Sequence, residues 1–183
     1  KKVNFYLFLG RFHEKKGCEI IIESIYKLGN KIKTPVLLAG PLMNTAYERF
    51  LKNLVKKYNL KNKIIFSDAL FNEIKWGAIL NCRAMLLPSH GENFGVAIAE
   101  ALSVGKPVII TKKVNIASII SKYKAGYTLS DNVKSFSKGL EKFEKLNHSS
   151  LNKISKNAKL CFDENFNLEL GKYNLYELFT KPK

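Results

Sequence analysis

Two glutamates and two cations in this chain have the types and spacing expected of a site for a charged ligand. Glu92 and Glu100 are eight positions apart, a little over two helical turns, so both carboxylates can point to one side. Arg11 and Lys16 follow the first apolar run, where a planar fork of N–H donors and a compact ammonium group suit an anion. Considered alone, these residues also fit two surface glutamates and a solvated basic loop, so the elements around them must decide.

The segment around the glutamates is typical of a strand, a loop and a short buried helix. Ala84–Leu87 is an apolar run that ends at a proline. Val96–Val104 is expected to form a mostly buried helix, with Ser89 or Asn93 as its N-cap and Gly105 in the left-handed conformation after its C-terminus. One glutamate then lies at the mouth of this helix and the other lies on it.

Short apolar runs alternate with helical periodicity along the chain, which predicts an α/β fold with a doubly wound, Rossmann-like parallel sheet of about six strands. In the strand order 3-2-1-4-5-6, strands 1 and 4 are neighbours at the switch point, where ligands bind. Gly10-Arg11 follows strand 1 and Ser89–Gly95 follow strand 4, so two distant segments are expected to converge on one crevice. The predicted strands are Asn4–Leu9, Pro35–Gly40, Ile64–Phe66, Ala84–Leu87, Pro107–Ile110 and Gly126–Leu129.

Two helical predictions matter for the outcome. Asn72–Cys82 is expected to be a helix with Ile74, Ile79 and Leu80 on its apolar side. The C-terminal part of the chain is expected to be helical, ending in an aromatic-rich helix at about residues 166–180.

The segment Pro88-Ser89-x-x-Glu92-Asn93-Phe94-Gly95-x-x-x-x-Glu100-Ala101 resembles the E-x7-E signature of the retaining family 4 glycosyltransferases, which have the GT-B fold. Gly10-Arg11, followed by Lys16-Gly17, resembles the first strand-to-helix connection of the same family. The resemblance covers essentially all of residues 1–183 as the C-terminal, donor-binding half of such an enzyme. It implies that the terminal helix crosses back to an N-terminal acceptor domain outside this sequence. Lys1 in place of Met agrees with an excised part of a longer chain.

The resemblance also implies a role for each site residue. Arg11 and Lys16 would bind the diphosphate of a nucleotide-sugar donor, and Glu92 would face the transferred sugar and stabilise an oxocarbenium-like transition state; these three are the expected catalytic residues. Glu100 would accept hydrogen bonds from the ribose hydroxyls. The other expected substrate-binding residues, several of which would act through backbone N–H groups, are Gly10, Ser89, His90, Asn93, Phe94, Gly95 and Val96.

Further expectations concern the base, the acceptor proton and cofactors. Ser67–Leu70 would face the nucleotide base, although a plain turn is the alternative. His90 is the histidine nearest to the expected donor site, and no residue is a good candidate for handling the proton of the acceptor. No metal or other cofactor is expected, because cationic side chains and a helix dipole offset the charge of the diphosphate.

The function that the resemblance implies is transfer of a sugar, with retention of anomeric configuration, to a saccharide or lipid-linked acceptor. Bacterial surface polysaccharide or lipopolysaccharide biosynthesis is the expected setting. Two alternatives remain open at this point: a nucleotide-sugar epimerase or hydrolase of the same fold, and a non-enzymatic basic binding module. This chain alone is expected to bind the donor without transferring the sugar.

Composition sets the remaining bounds. The formal net charge of +16 arises almost wholly from lysines spread along the 183 residues, so it fits either compositional bias or attraction to an anionic membrane. Nucleic-acid binding is not expected, since no recognition motif accompanies the lysines. Without an apolar stretch of membrane-spanning length, and with three widely spaced cysteines expected to be buried thiols, the chain is expected to be cytoplasmic, with possible peripheral contact at the inner face of the cell membrane.

Overall fold

Short, mostly buried strands form the centre of the molecule. In the computed structural model, which describes residues 4–166, each strand has four residues, and all residues of the fourth and fifth strands are buried. Their sequences, Ala-Met-Leu-Leu and Val-Ile-Ile-Thr, lack the alternation of a half-exposed strand, because helices cover both faces of the sheet. The strands are β1 (Tyr6–Leu9), β2 (Val36–Ala39), β3 (Ile64–Ser67), β4 (Ala84–Leu87), β5 (Val108–Thr111) and β6 (Gly126–Leu129).

All pairings in the sheet are parallel and the order is β3-β2-β1-β4-β5-β6, which confirms the predicted doubly wound topology. β1 pairs with β2 along its whole length, but its register with β4 ends at the pair Leu7–Met85. β1 and β4 therefore part before their C-terminal ends. This split at the switch point opens the crevice towards which the two candidate loops run.

Six of the seven α-helices form two groups, and the main helix–helix contacts lie within each group. α1 packs against α2 and α6, whereas α4 and α5 pack against α7. None of the helices within residues 4–166 is both long enough and apolar enough to cross a membrane. The α-helices are α1 (Cys18–Leu28), α2 (Ala46–Lys57), α3 (Asn72–Asn81), α4 (Val96–Ser103), α5 (Ala117–Tyr123), α6 (Val133–Glu144) and α7 (His148–Asn165), and short 3-10 helices cover Glu14–Lys16 and Gly29–Lys31.

The predicted apolar side of α3 is wrong. Ile79 is fully buried, but Ile74 and Leu80 are exposed at 71% and 50%. At 100° per residue, Ile79 and Leu80 lie about 140° and 240° from Ile74 around the helix, so the three side chains cannot share one face. Ile79 is the one fully buried residue of α3, and Ala78 packs against the core while partly exposed, so α3 makes few core contacts within residues 4–166.

The predicted capping of α4 is also wrong. Its N-cap is Gly95, which has a φ of 73° and makes no side-chain capping hydrogen bond, so neither Ser89 nor Asn93 caps the helix. The helix ends at Ser103, and Gly105 adopts the left-handed conformation that was expected. The predicted helix at about 166–180 lies outside the described residues, apart from Phe166 at the end of α7.

The three cysteines, Cys18, Cys82 and Cys161, are free and buried. Burial raises the pKa of the Cys82 thiol to about 12, so this thiol stays protonated at neutral pH. The cysteines therefore behave as small apolar core residues.

Candidate functional site

The loop after β1 turns sharply before α1 begins. His13 accepts a hydrogen bond from the backbone N–H of Lys15 at its Nδ1 atom, and a 3-10 helix follows over Glu14–Lys16. Gly17, with a φ of 65°, ends this short helix and begins α1. The turn places Lys16 beside the N-terminus of α1, where partial positive charge adds to that of the side chain.

The loop after β4 packs directly on this turn. The backbone N–H of His90 donates to the carbonyl oxygen of Lys15 at 2.9 Å. A Cβ atom on Gly17 would lie 2.2 Å from the carbonyl oxygen of Pro88, far inside van der Waals contact. Glycine at position 17 therefore permits the close approach of two segments that lie more than 70 residues apart in the sequence.

The β4–α4 loop is also held from its other side, by the loop after β5. The backbone N–H of Glu92 donates to the carbonyl oxygen of Lys113 at 3.1 Å, and the N–H of Asn115 donates to the carbonyl oxygen of Glu92 at 3.0 Å. The hydroxyl of Thr111 donates to the carbonyl oxygen of Ser89. The position of Glu92 is thus determined by main-chain contacts.

Each of the two motif glutamates forms an ion pair with its own lysine. The Lys16 ammonium contacts the Glu92 carboxylate, so a predicted anion-binding residue and a predicted sugar-binding residue are neighbours. Nζ of Lys75, on α3, lies 2.7 Å from Oε1 of Glu100, on α4. Sequence reasoning missed Lys75, because nothing in its local sequence indicates that α3 runs beside α4.

A cavity of about 420 Å³ lies where the loops after β1 and β4 meet. We call it the basic cavity; its lining residues are Arg11, His13, Lys15, Lys16, Gly91, Glu92 and Asn93. Arg11, Lys15 and Lys16 carry three positive charges against the one negative charge of Glu92, which leaves a net charge of +2. Within residues 4–166 the guanidinium of Arg11 makes no hydrogen bond or ion pair. These properties suit a small polyanion such as a diphosphate.

His90 joins three parts of the structure through its ring. Its Nε2 atom lies 2.7 Å from Oε1 of Glu19, on α1, and its Nδ1 atom lies 2.7 Å from Oδ1 of Asp131, in the β6–α6 loop. Tyr47, on α2, donates its hydroxyl to the other oxygen of Glu19. The hydrogen bond to Glu19 is the main reason that the pKa of His90 is raised, and Asp131 adds to the effect. A raised pKa extends the pH range in which the imidazole is charged, and Glu19 and Asp131 occupy both of its ring nitrogens.

The remaining predicted residues lie on the β4–α4 loop, at the start of α4 and, in the case of Gly10, directly after β1. Ser89 is buried, and its hydroxyl has no hydrogen-bond partner within residues 4–166. Phe94 is partly exposed and contacts Phe166 edge to face at a centroid distance of 5.5 Å. Val96, the first residue of α4, is exposed. The backbone N–H of Gly10 donates to the carbonyl oxygen of Ala39, on β2, at 3.0 Å. The structure therefore groups Gly91, Glu92 and Asn93 with the cations and sets the aromatic ring of Phe94 apart from them.

Two further expectations concern the segment for the nucleotide base and the absence of a metal. In the segment Ser67–Leu70, the carboxylate of Asp68 accepts hydrogen bonds from the N–H groups of Leu42 and Ala69, which ties the segment after β3 to the loop after β2. In the part of the chain that the structure describes, no cluster of three or more His, Cys, Asp or Glu side chains could hold a metal ion.

Comparison with known proteins identifies the family of this chain. The family model described as Glycosyl transferases group 1 matches residues 1–160. The alpha-1,3/1,6-mannosyltransferase ALG2 of Dictyostelium discoideum is 25% identical over 194 residues, which cover 97% of this chain and 46% of that protein. The putative colanic acid biosynthesis glycosyltransferase WcaL of Salmonella typhimurium is 26% identical over 169 residues, which cover 87% of this chain and 40% of that protein. The chain spans less than half the length of both relatives.

Solved structures extend the comparison to the fold. The structure of Anabaena HepE in complex with UDP-glucose superposes with a TM-score of 0.82 at 19% identity, covering 97% of this chain and 49% of that chain. The family model that matches residues 1–160 confirms the family resemblance seen in the sequence. The chain belongs to the glycosyl transferases group 1 family and has the Rossmann-like fold of the C-terminal domain of GT-B glycosyltransferases.

Proposed function

We propose that this chain binds the nucleotide-sugar donor of a glycosyltransferase and that the whole protein transfers the sugar with retention of anomeric configuration. The observation that carries the proposal is the basic cavity, in which Arg11 and Lys16 adjoin Glu92 at the switch point of the sheet. Anions bind at such switch points because loops and helix N-termini converge there. A nucleotide sugar needs both cations for its diphosphate and a hydroxyl acceptor for its sugar, and the cavity offers both.

The diphosphate would lie between the β1 loop and the start of α4. Among residues 4–166 no side chain or backbone group competes for the fork of donors on Arg11, and Lys16 would exchange part of its contact with Glu92 for a phosphate oxygen. No side chain within residues 4–166 caps α4, so the N–H groups of Val96 and Ala97 at its start are open to a phosphate. We propose no metal or other cofactor for this step, because these cations and N–H groups would themselves stabilise the charge of the leaving diphosphate.

The rest of the donor would extend to the two glutamates. Glu92 would accept hydrogen bonds from the sugar and stabilise positive charge that develops at its anomeric carbon. Glu100 would accept hydrogen bonds from the ribose, displacing Lys75. Ser67–Leu70 remain the proposed neighbours of the base, and the buried hydroxyl of Ser89 is proposed to support the β4–α4 loop.

Relatives support the substrate class and the setting. HepE has been solved with UDP-glucose, ALG2 is named as a mannosyltransferase and WcaL as a colanic acid glycosyltransferase. We propose a UDP- or GDP-sugar donor and a saccharide or lipid-linked acceptor in surface polysaccharide synthesis. The reaction would take place in the cytoplasm, with the basic surface drawing the protein to anionic lipids of the inner face of the membrane.

The proposal is tested by measuring nucleotide binding to the 183-residue chain. A thermal-shift screen of UDP, GDP and ADP, followed by calorimetry, should find at least one diphosphate that raises the melting temperature and binds saturably. Inorganic polyphosphate is the control for charge alone, since its binding should weaken much more steeply with salt. Equal and equally salt-sensitive binding of all four anions would contradict the proposal and favour a basic binding module.

Turnover of a labelled donor separates the enzymatic alternatives. A transferase needs an acceptor, whereas a hydrolase or an epimerase converts the donor without one. We expect the present chain to hydrolyse the donor slowly at most, because the positioning energy of a closed cleft, roughly 7–11 kcal/mol in favourable model systems, requires a second domain. Efficient acceptor-dependent transfer by the 183-residue chain would show that its assignment as a donor-binding half is wrong.

A further inference from the structure

A second cavity, of about 640 Å³, lies beside the basic cavity at the N-termini of α1 and α2. We call it the aromatic cavity; the residues that matter for its chemistry are Glu14, Lys15, Glu19, Tyr47, Phe50 and His90. Its volume is within the range of small-molecule sites, which is about 300–1,000 Å³. His90 is the one expected substrate-binding residue among those that line it, and the proposed donor contacts do not use this cavity.

The apolar part of the aromatic cavity is formed by two rings of α2. The centroids of Tyr47 and Phe50 are 6.1 Å apart and their planes are inclined by 31°. Phe50 is 46% exposed, although it lies on a helix that has buried positions for apolar residues. Exposed aromatic rings of this kind offer a rigid apolar surface, and the C–H face of a pyranose ring is a matching partner.

The polar part of the cavity consists of hydrogen-bonding groups of both kinds. The carboxylate of Glu14 and the ammonium group of Lys15 make no hydrogen bond or ion pair within residues 4–166. Glu19 is held in place by Tyr47 and His90, and a carboxylate with two partners retains further lone pairs. Free acceptors and donors around an aromatic surface are complementary to hydroxyl groups, which both donate and accept hydrogen bonds.

Charge distinguishes this cavity from its neighbour. The chain has 31 basic residues and only 15 acidic ones, yet two carboxylates, Glu14 and Glu19, line the aromatic cavity. The basic cavity holds three cations against one carboxylate, whereas here Lys15 faces two carboxylates. Lys15 offsets one of these two carboxylates, so the aromatic cavity lacks the excess of positive charge that favours an anion in its neighbour.

The two cavities share a wall. Lys15 lines both, and its carbonyl oxygen accepts the hydrogen bond from the N–H of His90. The consecutive residues His90, Gly91 and Glu92 run from the aromatic cavity into the basic cavity. A ligand in the aromatic cavity would consequently lie next to the place proposed for the reacting sugar.

From these observations we infer that the aromatic cavity binds a neutral saccharide. If the proposed function holds, on which this assignment rests, the saccharide is the end of the acceptor, so that this chain supplies an acceptor subsite as well as the donor site. Phe50 and Tyr47 contact the C–H face of the sugar ring, and Glu14, Lys15 and Glu19 bind its hydroxyl groups.

The test is saturation-transfer NMR on the 183-residue chain with methyl α-mannoside, maltose and mannobiose, with and without saturating UDP. We expect signals from at least one of these neutral saccharides, and UDP should not displace it. Phe50→Ala should weaken saccharide binding by roughly tenfold and leave the affinity for UDP unchanged. Glu14→Gln should reduce saccharide binding less, since an amide retains part of the hydrogen-bonding capacity.

The matched control is Tyr26→Ala, which removes an exposed aromatic ring of α1 that stacks on Tyr58 and does not line either cavity. It should leave the saccharide signals intact. Absence of signals for all three saccharides, or signals that persist unchanged in Phe50→Ala, would overturn the inference. UDP calorimetry on the same samples separates the two proposals: UDP binding without saccharide binding overturns only this inference, whereas saccharide binding without binding of any nucleoside diphosphate overturns the donor-site proposal.

Discussion

The ion pairs Lys16–Glu92 and Lys75–Glu100 have the same chemistry but very different supports. Glu92 is held by main-chain hydrogen bonds to the β5–α5 loop, and Lys16 lies in a short turn between two fixed points, His13 and Gly17. Glu100 and Lys75 are joined only through their side chains, across two helices. Of these, α3 contacts the core through few residues, and Ile79 is the one that is fully buried in the part of the chain that the structure describes.

The difference indicates two kinds of site. At Lys16–Glu92 the backbone defines the geometry, so changing a side chain should change charge and hydrogen bonding without moving the loops. At Lys75–Glu100 the geometry depends on a loosely packed helix, so the pair can adjust when a ligand competes for one partner. Each of the following substitutions tests one side of this comparison.

The largest effect is expected from Gly17→Ala, which disturbs the contact between the β1 and β4 loops that carry Lys16 and Glu92. We call these two loops the fixed region. The new Cβ would lie 2.2 Å from the carbonyl oxygen of Pro88, and neither main chain can yield without moving a loop. We expect a loss of about 3 kcal/mol in the free energy of unfolding, together with loss of nucleotide binding. Denaturant unfolding and UDP calorimetry measure these two effects.

Two controls identify the clash as the cause. Lys124 adopts a left-handed conformation with a φ of 54°, so that conformation alone is tolerated by a side chain in this fold. A Cβ on Gly91 would meet no atom within 4 Å, and Gly91→Ala should therefore have an unfolding free energy close to that of the unchanged chain. Equal stability of Gly17→Ala and Gly91→Ala would show that the contact between the β1 and β4 loops is not a rigid one.

Arg11→Ala and Lys16→Ala test the charge of the fixed region without disturbing its backbone. Each should weaken UDP or GDP binding by about 1.5–3 kcal/mol, as expected for charge-assisted hydrogen bonds. Arg49→Ala is the matched control, because Arg49 is an exposed arginine of α2 whose guanidinium donates a hydrogen bond to the carbonyl oxygen of Asn44 and lines neither cavity. If both variants bind nucleotide like the control, the basic cavity is not the diphosphate site.

The two glutamates should differ in which ligand they affect. Glu92→Ala releases Lys16, so UDP should bind at least as well as before, while the intact sugar nucleotide should lose about 1–2 kcal/mol. Glu100→Ala should weaken both ligands by similar amounts, because its proposed partner is the ribose that they share. Calorimetry with UDP and UDP-sugar decides the point, and the same pattern of losses in both variants would refute separate roles.

The smallest effect is expected at the ion pair between Lys75 and Glu100. Lys75→Met leaves the carboxylate of Glu100 without its competitor, so UDP binding should strengthen by about 0.5 kcal/mol, with a similar loss of unfolding free energy. Lys159→Met, which breaks the exposed Lys159–Asp163 pair on α7, is the control for loss of a surface ion pair and should not alter UDP binding. Weaker UDP binding in Lys75→Met would mean that Lys75 orients Glu100 instead of competing for it.

The sheet topology could be predicted from the sequence because each strand and helix is recognisable from its own short stretch of residues. Runs such as Ala84–Leu87 and Val108–Thr111 are apolar throughout, and the alternation of strands and helices leaves few right-handed arrangements. The motif residues around Glu92 could be recognised for the same reason, since their spacing is contained in one segment.

What the sequence did not predict depends on contacts between distant segments. Lys75 reaches Glu100 because α3 passes beside α4, and Glu19 and Asp131 meet His90 from α1 and from the β6–α6 loop. The missing cap of α4 is a local error with a physical cause, since Gly95 provides a left-handed entry to the helix in place of a side-chain cap. The roles of the site residues remain predictions until ligand binding is measured.

Glu92 is held by main-chain hydrogen bonds, so its position does not depend on which side chains the β5–α5 loop carries. Val114 is buried and anchors the loop, but Lys112, Lys113 and Asn115 are exposed, and the bonds to Glu92 use only the backbone atoms of Lys113 and Asn115. These three side chains can therefore diverge without displacing the carboxylate beside them. In evolution, and in a laboratory library confined to these positions, such a loop would allow the surface beside the basic cavity to change while the position of Glu92 is kept.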